Sequence, residues 1–173
     1  MTPTASLFIE NAAREQYEGF FGKPIEDVRA ALRERFQHNG FEFLSYGDER
    51  PGIPPRTTMA VSAYFSDPAR VTSISLSLNM QCLLEDGAAP APFVAELSKV
   101  WTELKAWLAE RAGPLELHKT HYPQKRNALA AAPDLKKALK ERHAFPGGRL
   151  EHEATIQGST VFSYQIYLTY EAR

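Results

Sequence analysis

The sequence predicts an α+β fold: a mostly antiparallel sheet with helices packed on one face, in two layers and a single domain over residues 1–173. Several segments alternate apolar with small polar side chains, which is typical of strands that bury one face. Two other segments repeat apolar side chains at helical spacing. The length suits one hydrophobic core, and no linker is long enough to divide the chain.

The N-terminal region begins with an ambiguous stretch. Within residues 1–22, a strand is proposed to begin at 6–9 and a helix is proposed over 12–21. The next segment starts with a proline, repeats apolar residues at helical spacing and meets a glycine: Pro24, Ile25, Val28, Leu32, Phe36 and Gly40. Proline is tolerated in the first helical turn and glycine readily ends a helix. A helix is therefore predicted from about residue 24 to residue 38.

Five segments are predicted as strands, because each combines apolar residues with turn formers at its ends. They cover residues 41–46, 57–66, 71–80, 150–156 and 160–171. Short turns join the second strand to the third and the fourth to the fifth, so each of these pairs is a predicted hairpin. With helices on one face, the other sheet face is expected to be open and to carry serine, asparagine, glutamine, threonine and tyrosine side chains.

The strongest helical signal lies between the hairpins. Seven apolar side chains share one stripe: Phe93, Leu97, Val100, Trp101, Leu104, Trp107 and Leu108. Because both tryptophans belong to the stripe, they are expected to anchor the helix to the sheet rather than to stack on a ligand. Gly113 and Pro114 end the helix. Residues 115–119 are a candidate strand, and the basic stretch that follows is predicted as one or two short helices with Leu135 and Leu139 facing the core.

Cysteine usage and hydropathy indicate the compartment. Cys82 is the single cysteine, so an intramolecular disulfide is excluded and the reducing cytoplasm is favoured. The first residues lack the basic and apolar regions of a secretory signal. No apolar run approaches the roughly 20 residues that cross a bilayer. The chain is therefore predicted to be soluble and cytoplasmic, with no membrane partner.

Glu85 and Asp86 disfavour a thiolate at Cys82, which is expected to be a small apolar filler.

The motifs of several enzyme and cofactor-binding classes are absent from the sequence. It has no G-x-x-x-x-G-K-[ST] phosphate loop, no G-x-G-x-x-G after a strand and no G-x-S-x-G nucleophile elbow. With one cysteine, C-x-x-C redox motifs and the common zinc ribbons are excluded. No cofactor and no metal site are therefore predicted.

Charge is distributed unevenly along the chain. Residues 118–149 hold eight lysines and arginines against two acidic residues, a net charge of +6, whereas the whole chain has −1. Such a segment can attract phosphates, nucleic acid or an acidic protein surface. The overall isoelectric point near 6.5 makes nucleic acid the less favoured partner. The candidate binding residues of the segment are Lys119, Lys125, Arg126, Lys136, Lys137 and Lys140.

Histidines supply the candidates for acid–base chemistry. His118 and His121 belong to a His-Lys-Thr-His string and are weak candidates for a general base or acid. In the strand over 150–156, Glu151 and Glu153 are expected to be solvated. His152 falls in the apolar row of that strand, so it is expected to be hydrogen-bonded at the edge of the core, with a buried proton switch as the alternative.

These observations predict a non-enzymatic binding or regulatory protein. It would meet a macromolecular partner, an acidic protein surface before nucleic acid, through the basic segment 118–149, the open polar sheet face, or both. The alternative is a small enzyme that acts on an anionic substrate, with His118 or His121 as acid–base groups and Lys119, Lys125 and Arg126 holding the anion. A third hypothesis is self-association through the open sheet into a homo-oligomer.

Overall fold

A computed structural model describes residues 1–36, 43–47, 56–66, 69–121, 140–157 and 160–173. It confirms the predicted α+β fold, an antiparallel sheet with helices packed on it. The helices are α1 (Pro3–Ala12), α2 (Ile25–Phe36) and α3 (Ala91–Ala112). None of the helices within the described ranges is long and apolar enough to cross a membrane.

Seven strands form one sheet. They are β1 (Phe43–Gly47), β2 (Arg56–Ser66), β3 (Arg70–Leu83), β4 (Glu116–His121), β5 (Lys140–Phe145), β6 (Gly148–Gln157) and β7 (Val161–Glu171). Their order is β1-β2-β3-β7-β6-β5-β4, and every neighbouring pair is antiparallel. Both predicted hairpins are present, as β2–β3 and β6–β7. The two long strands β3 and β7 pair at the centre, so β1 and β4 lie at the edges.

The core lies between the helices and one face of the sheet. Alternate residues of the central strands are buried there, and they are Ile74, Leu76, Leu78, Met80, Phe162, Tyr164, Ile166, Leu168 and Tyr170. The register aligns these rows, since Leu78 lies opposite Met59 on β2 and Ile166 on β7. Trp101 is buried against the sheet, as predicted, whereas Trp107 is only partly buried at the margin of the core.

The N-terminal helix differs from both sequence interpretations. Helix α1 begins at Pro3 and ends at Ala12, where the proposed helix over 12–21 would begin, and no strand begins at 6–9. The Thr2 hydroxyl accepts a hydrogen bond from the Ala5 N–H, which satisfies a free donor at the helix start. Two short 3₁₀ turns follow at Arg14–Gln16 and Glu18–Phe20. The pair Thr2-Pro3 was the available start signal, because a capping hydroxyl followed by proline is typical of helix N-termini.

The helical prediction for the basic segment is wrong where the structure describes it. Lys140–Phe145 is strand β5, paired with β4 on one side and β6 on the other. Two neighbouring strands supply hydrogen bonds to its backbone, and this tertiary pairing overrides the local helical preference. The rest of the segment between β4 and β5, with Leu135 and Leu139, lies outside the described residues.

Gly148 begins β6 where the backbone of β7 comes close. A Cβ atom at this position would collide with the carbonyl oxygen of Thr169 and lie 2.6 Å from a ring carbon of Phe145. We expect Gly148→Ala to lower the free energy of unfolding by about 1–3 kcal/mol, because neither the backbone nor the packed ring can yield cheaply. Urea denaturation measures this change. Gly19→Ala is the matched control, since nothing lies within 4 Å of its Cβ position, and an equal loss in both variants would contradict the explanation.

Candidate functional site

Four of the eight predicted site residues lie on strands β4 and β5, at one edge of the sheet. Strand β4 contains His118, Lys119 and His121, and β5 begins at Lys140. The His118 side chain is exposed, next to a register irregularity between Leu117 and Lys119. The other candidates, Lys125, Arg126, Lys136 and Lys137, lie outside the described residues.

The register of β4 and β5 brings two lysines, an arginine and a histidine together. Lys119 lies opposite Arg142, and His121 lies opposite Lys140. We call these four positions the basic edge. Like charges directly opposite each other on antiparallel strands disfavour the pairing, and the Arg142 guanidinium already donates to the Glu151 carboxylate at 2.8 Å. An acidic partner would be attracted to the two lysines of the basic edge.

The sheet face turned away from the helices carries a polar network, which we call the polar face. Its members include Ser75, Asn79, Arg149, Glu151, Ser163, Tyr167 and Thr169. Ser75 and Thr169 share a hydrogen bond of 3.1 Å between their hydroxyls, and the Ser163 hydroxyl donates to Asn79 at 2.8 Å. Ser75, Ser163 and Thr169 are buried among their neighbours. The centre of this face is thus less open to water than the sequence predicted.

Glu151 connects the polar face to the basic edge. Its carboxylate accepts hydrogen bonds from Arg142 and Arg149, both at 2.8 Å, and its side chain is only 13% exposed. The expectation that Glu151 is solvated is therefore wrong. Burial disfavours the charged carboxylate, but hydrogen bonds from the two guanidinium groups and their positive charge outweigh burial and lower the pKa of Glu151. The β5 arginine could not be foreseen as its partner, because this segment was predicted to be helical.

A second polar group lies on the helix side of the sheet. His152 stacks parallel on the Trp101 ring, with centroids 4.0 Å apart, and its Nδ1 lies 2.6 Å from the Tyr164 hydroxyl. Glu141 hydrogen-bonds His143 and holds a carboxylate oxygen 3.8 Å from Nε2 of His152. We call Trp101, Glu141, His143, His152 and Tyr164 the histidine cluster. The sequence indicated only His152 as a buried histidine.

Burial sets the protonation of this cluster. It lowers the pKa of His152 to about 4, with a smaller opposing effect of Glu141, so the ring is neutral at neutral pH. Burial also raises the pKa of Tyr164 well above its usual value, so the phenol keeps its proton. This geometry favours donation from the Tyr164 hydroxyl to Nδ1 of His152, with the ring proton on Nε2, facing Glu141. The hydrogen bond from His143 is the main cause that lowers the pKa of Glu141.

The inner members of the histidine cluster, His152 and Tyr164, are buried, whereas the Glu141 side chain is 17% exposed. The side chains of His152 and Tyr164 are each 1% exposed, and Trp101 covers the imidazole. A group that reacts with substrate must be reachable, so the present arrangement gives these side chains a role in packing and proton affinity. Glu141 and His143 could have been found from the sequence, because Glu141, His143 and Phe145 alternate with Lys140, Arg142 and Ala144 as the residues of a strand do.

Two further sequence expectations concern Cys82 and metal binding. Cys82 is buried, and burial together with the charge of Glu85 raises the pKa of its thiol to about 11. Its predicted role as a small apolar filler is confirmed. Across the ranges that the structure describes, no three histidine, cysteine or acidic side chains form a group that could hold a metal ion.

Comparison with known proteins adds no functional analogy. The chain matches no protein-family model, and the searches of curated proteins and of solved structures found no match to it.

Proposed function

We propose that this protein is a non-enzymatic binding or regulatory module that meets an acidic protein partner at the basic edge and the adjoining polar face. The observation that carries this proposal is the β4–β5 register, which sets Lys119 opposite Arg142 and His121 opposite Lys140. The single cysteine, Cys82, is buried and unpaired, which supports action in the reducing cytoplasm.

The position of β4 also favours docking. It is the last strand in the sheet order, so one side of its backbone pairs with no other strand among the described residues. A partner segment could use those N–H and C=O groups, while its acidic side chains would approach the basic edge. A lysine on an edge strand can also serve to prevent unwanted pairing with other sheets. Salt-dependent binding of a partner distinguishes a docking role from this protective role.

An acidic protein fits these surfaces better than nucleic acid. The chain as a whole carries a net charge of −1, and the polar face adjoining the basic edge includes Glu151 and Glu171. Glu171 is half exposed and pairs with Arg149 at 2.7 Å. A long polyanion would meet these carboxylates as well as the cations, whereas a folded acidic surface can match both signs.

Two double charge reversals test the proposal. Lys119→Glu with Lys140→Glu alters the basic edge, and Lys23→Glu with Lys99→Glu makes the same charge change at exposed positions elsewhere. Tagged proteins are used for affinity capture from native cells at low and high salt, with and without nuclease. We expect the edge variant to retain about tenfold less of a nuclease-resistant protein partner at low salt, which corresponds to about 1.4 kcal/mol.

The control variant should retain the same partner as the unchanged protein, and circular dichroism should show that both variants fold. High salt should weaken capture by the unchanged protein, because screening reduces attraction between exposed charges. Equal retention by the edge and control variants would contradict the proposal. Loss of the captured material on nuclease treatment would show that the partner is nucleic acid and not a protein.

A further inference from the structure

A cavity of about 350 Å³ lies at the other end of β5 from Lys140. It is bounded by the last turns of α3, the two 3₁₀ turns, the β5–β6 turn and the end of β7. Lys140 and Phe145 are five residues apart, which corresponds to about 17 Å along a strand. The cavity is therefore separate from the basic edge, and its volume suits a small organic ligand.

Aromatic side chains form the apolar walls of the cavity. Phe145 and Tyr170 pack edge to face, with centroids 6.1 Å apart and planes at 79°. Trp107 lines the cavity from helix α3, beside the buried Leu108. The Tyr170 hydroxyl donates to the Ala12 carbonyl at 2.6 Å, which fixes the ring. Phe145 and Tyr170 are largely buried, and the Arg14 guanidinium lies 5.5 Å from the centroid of the Tyr170 ring, so Trp107 offers the more accessible aromatic surface to a flat ring.

Arg14 holds the cavity walls together and has its donors occupied. It donates to the carbonyl oxygens of Gly147 at 2.7 Å and Glu171 at 2.9 Å, and its Nε lies 3.2 Å from the Glu18 carboxylate. The 3₁₀ turns are thereby tied to the β5–β6 turn and to the end of β7. Because Glu18 is already paired with Arg14, its negative charge is largely neutralised at the cavity.

Two other arginines line the cavity with their charge available. Among the described residues, neither Arg111 nor Arg173 forms an ion pair with a carboxylate. The Arg111 guanidinium lies over the Trp107 ring, 5.4 Å from its centroid. Glu15 is exposed and is the one unpaired acid among the lining residues. The side chains that line the cavity thus include three arginines and two glutamates, a side-chain charge of +1, beside aromatic walls.

We propose that this cavity binds a small aromatic carboxylate. The ring of the ligand lies against Trp107, Phe145 and Tyr170, and its carboxylate accepts hydrogen bonds from Arg111 and Arg173. Guanidinium groups match the geometry of a carboxylate and keep their charge at every physiological pH. The binding of such a ligand is independent of the partner proposed for the basic edge.

Nuclear magnetic resonance can test this inference on the full chain with phenylacetate as the probe. The chain has two tryptophans, so its spectrum contains two indole N–H signals, and Trp107→Phe identifies them. We expect phenylacetate to shift the Trp107 signal in a saturable manner and to leave the Trp101 signal in place. Arg111→Gln should weaken the apparent affinity roughly tenfold, because it removes a charge-assisted hydrogen bond.

Three comparisons decide the outcome. Lys99→Gln removes a positive charge from the same helix, about 18 Å away, and should leave the affinity unchanged. Phenylacetamide keeps the ring without the charge, and acetate keeps the charge without the ring, so each should bind more weakly than phenylacetate. The absence of a saturable Trp107 shift, equal binding of phenylacetamide, or unchanged affinity in Arg111→Gln would overturn the proposal. The amide spectrum shows whether each variant is folded.

Discussion

Replacing Trp101 with alanine is expected to lower the free energy of unfolding by about 3–5 kcal/mol. The indole is 5% exposed and lies flat on the His152 ring, so its removal leaves a large cavity over a buried polar side chain. Lys105, whose ammonium group lies 5.3 Å from the centroid of the indole ring, also loses that contact. Urea denaturation at neutral pH measures the change.

Trp107→Ala is the matched control for this prediction. Trp107 lies on the same helix but only at the margin of the core, so its removal should cost distinctly less. A loss in Trp101→Ala no larger than that in Trp107→Ala would show that the stack does not stabilise the fold. In Trp101→Ala, the pKa of His152 should also rise from about 4 towards its usual value of 6.5, because water then reaches the ring.

The second large effect is the response of stability to acid. The pKa of His152 is about 4 in the folded protein and 6.5 when the ring is exposed, so the unfolded chain binds more protons between these values. The contribution of neutral His152 to the free energy of unfolding is fully present above pH 6.5 and is lost as the pH falls through 4. The shift corresponds to about 3 kcal/mol. Because the pKa of Glu141 is lowered in the folded protein, its protonation also reduces the free energy of unfolding as the pH falls below 4.5.

The charged groups around His152 are part of this expectation. Glu141 favours the protonated ring, whereas Lys105 and His143 oppose it, and all three are weaker influences than burial. The double variant His152→Phe with Tyr164→Phe removes both partners of the buried hydrogen bond and leaves apolar rings of similar shape. Its stability should depend much less on pH between 6.5 and 4, whereas the exposed-site control His118→Gln should retain the dependence. An unchanged slope in the double variant would assign the acid response to other groups.

The sequence predicts the central sheet well because alternation alone defines it. In β3 and β7, every second residue is apolar, and the same residues face the helices in the structure. Strand β5 was missed because its inward side chains include Glu141 and His143, which do not read as a hydrophobic row. The alternation of residues 140–145 was the available strand signal, but it does not by itself show which side of the strand is buried. The basic edge was foreseen as a charged segment, but the pairing of Lys119 with Arg142 needed the register.

The β3–β7 pairing and the placement of α1 have a consequence for folding during synthesis. The other strand pairs join neighbours along the chain, whereas β3 must wait for the last strand to emerge. Helix α1 also waits, because Thr2 bonds Glu103, 101 residues later, and Thr4 bonds Glu96. Helix α1 is therefore synthesised well before α3, against which it packs, and its apolar side stays uncovered until then. Strands β3 and β7 can pair only when β7 has been synthesised. The slow step in folding is then expected to be the pairing of β3 with β7 rather than the formation of the β1–β3 group or the β4–β7 group.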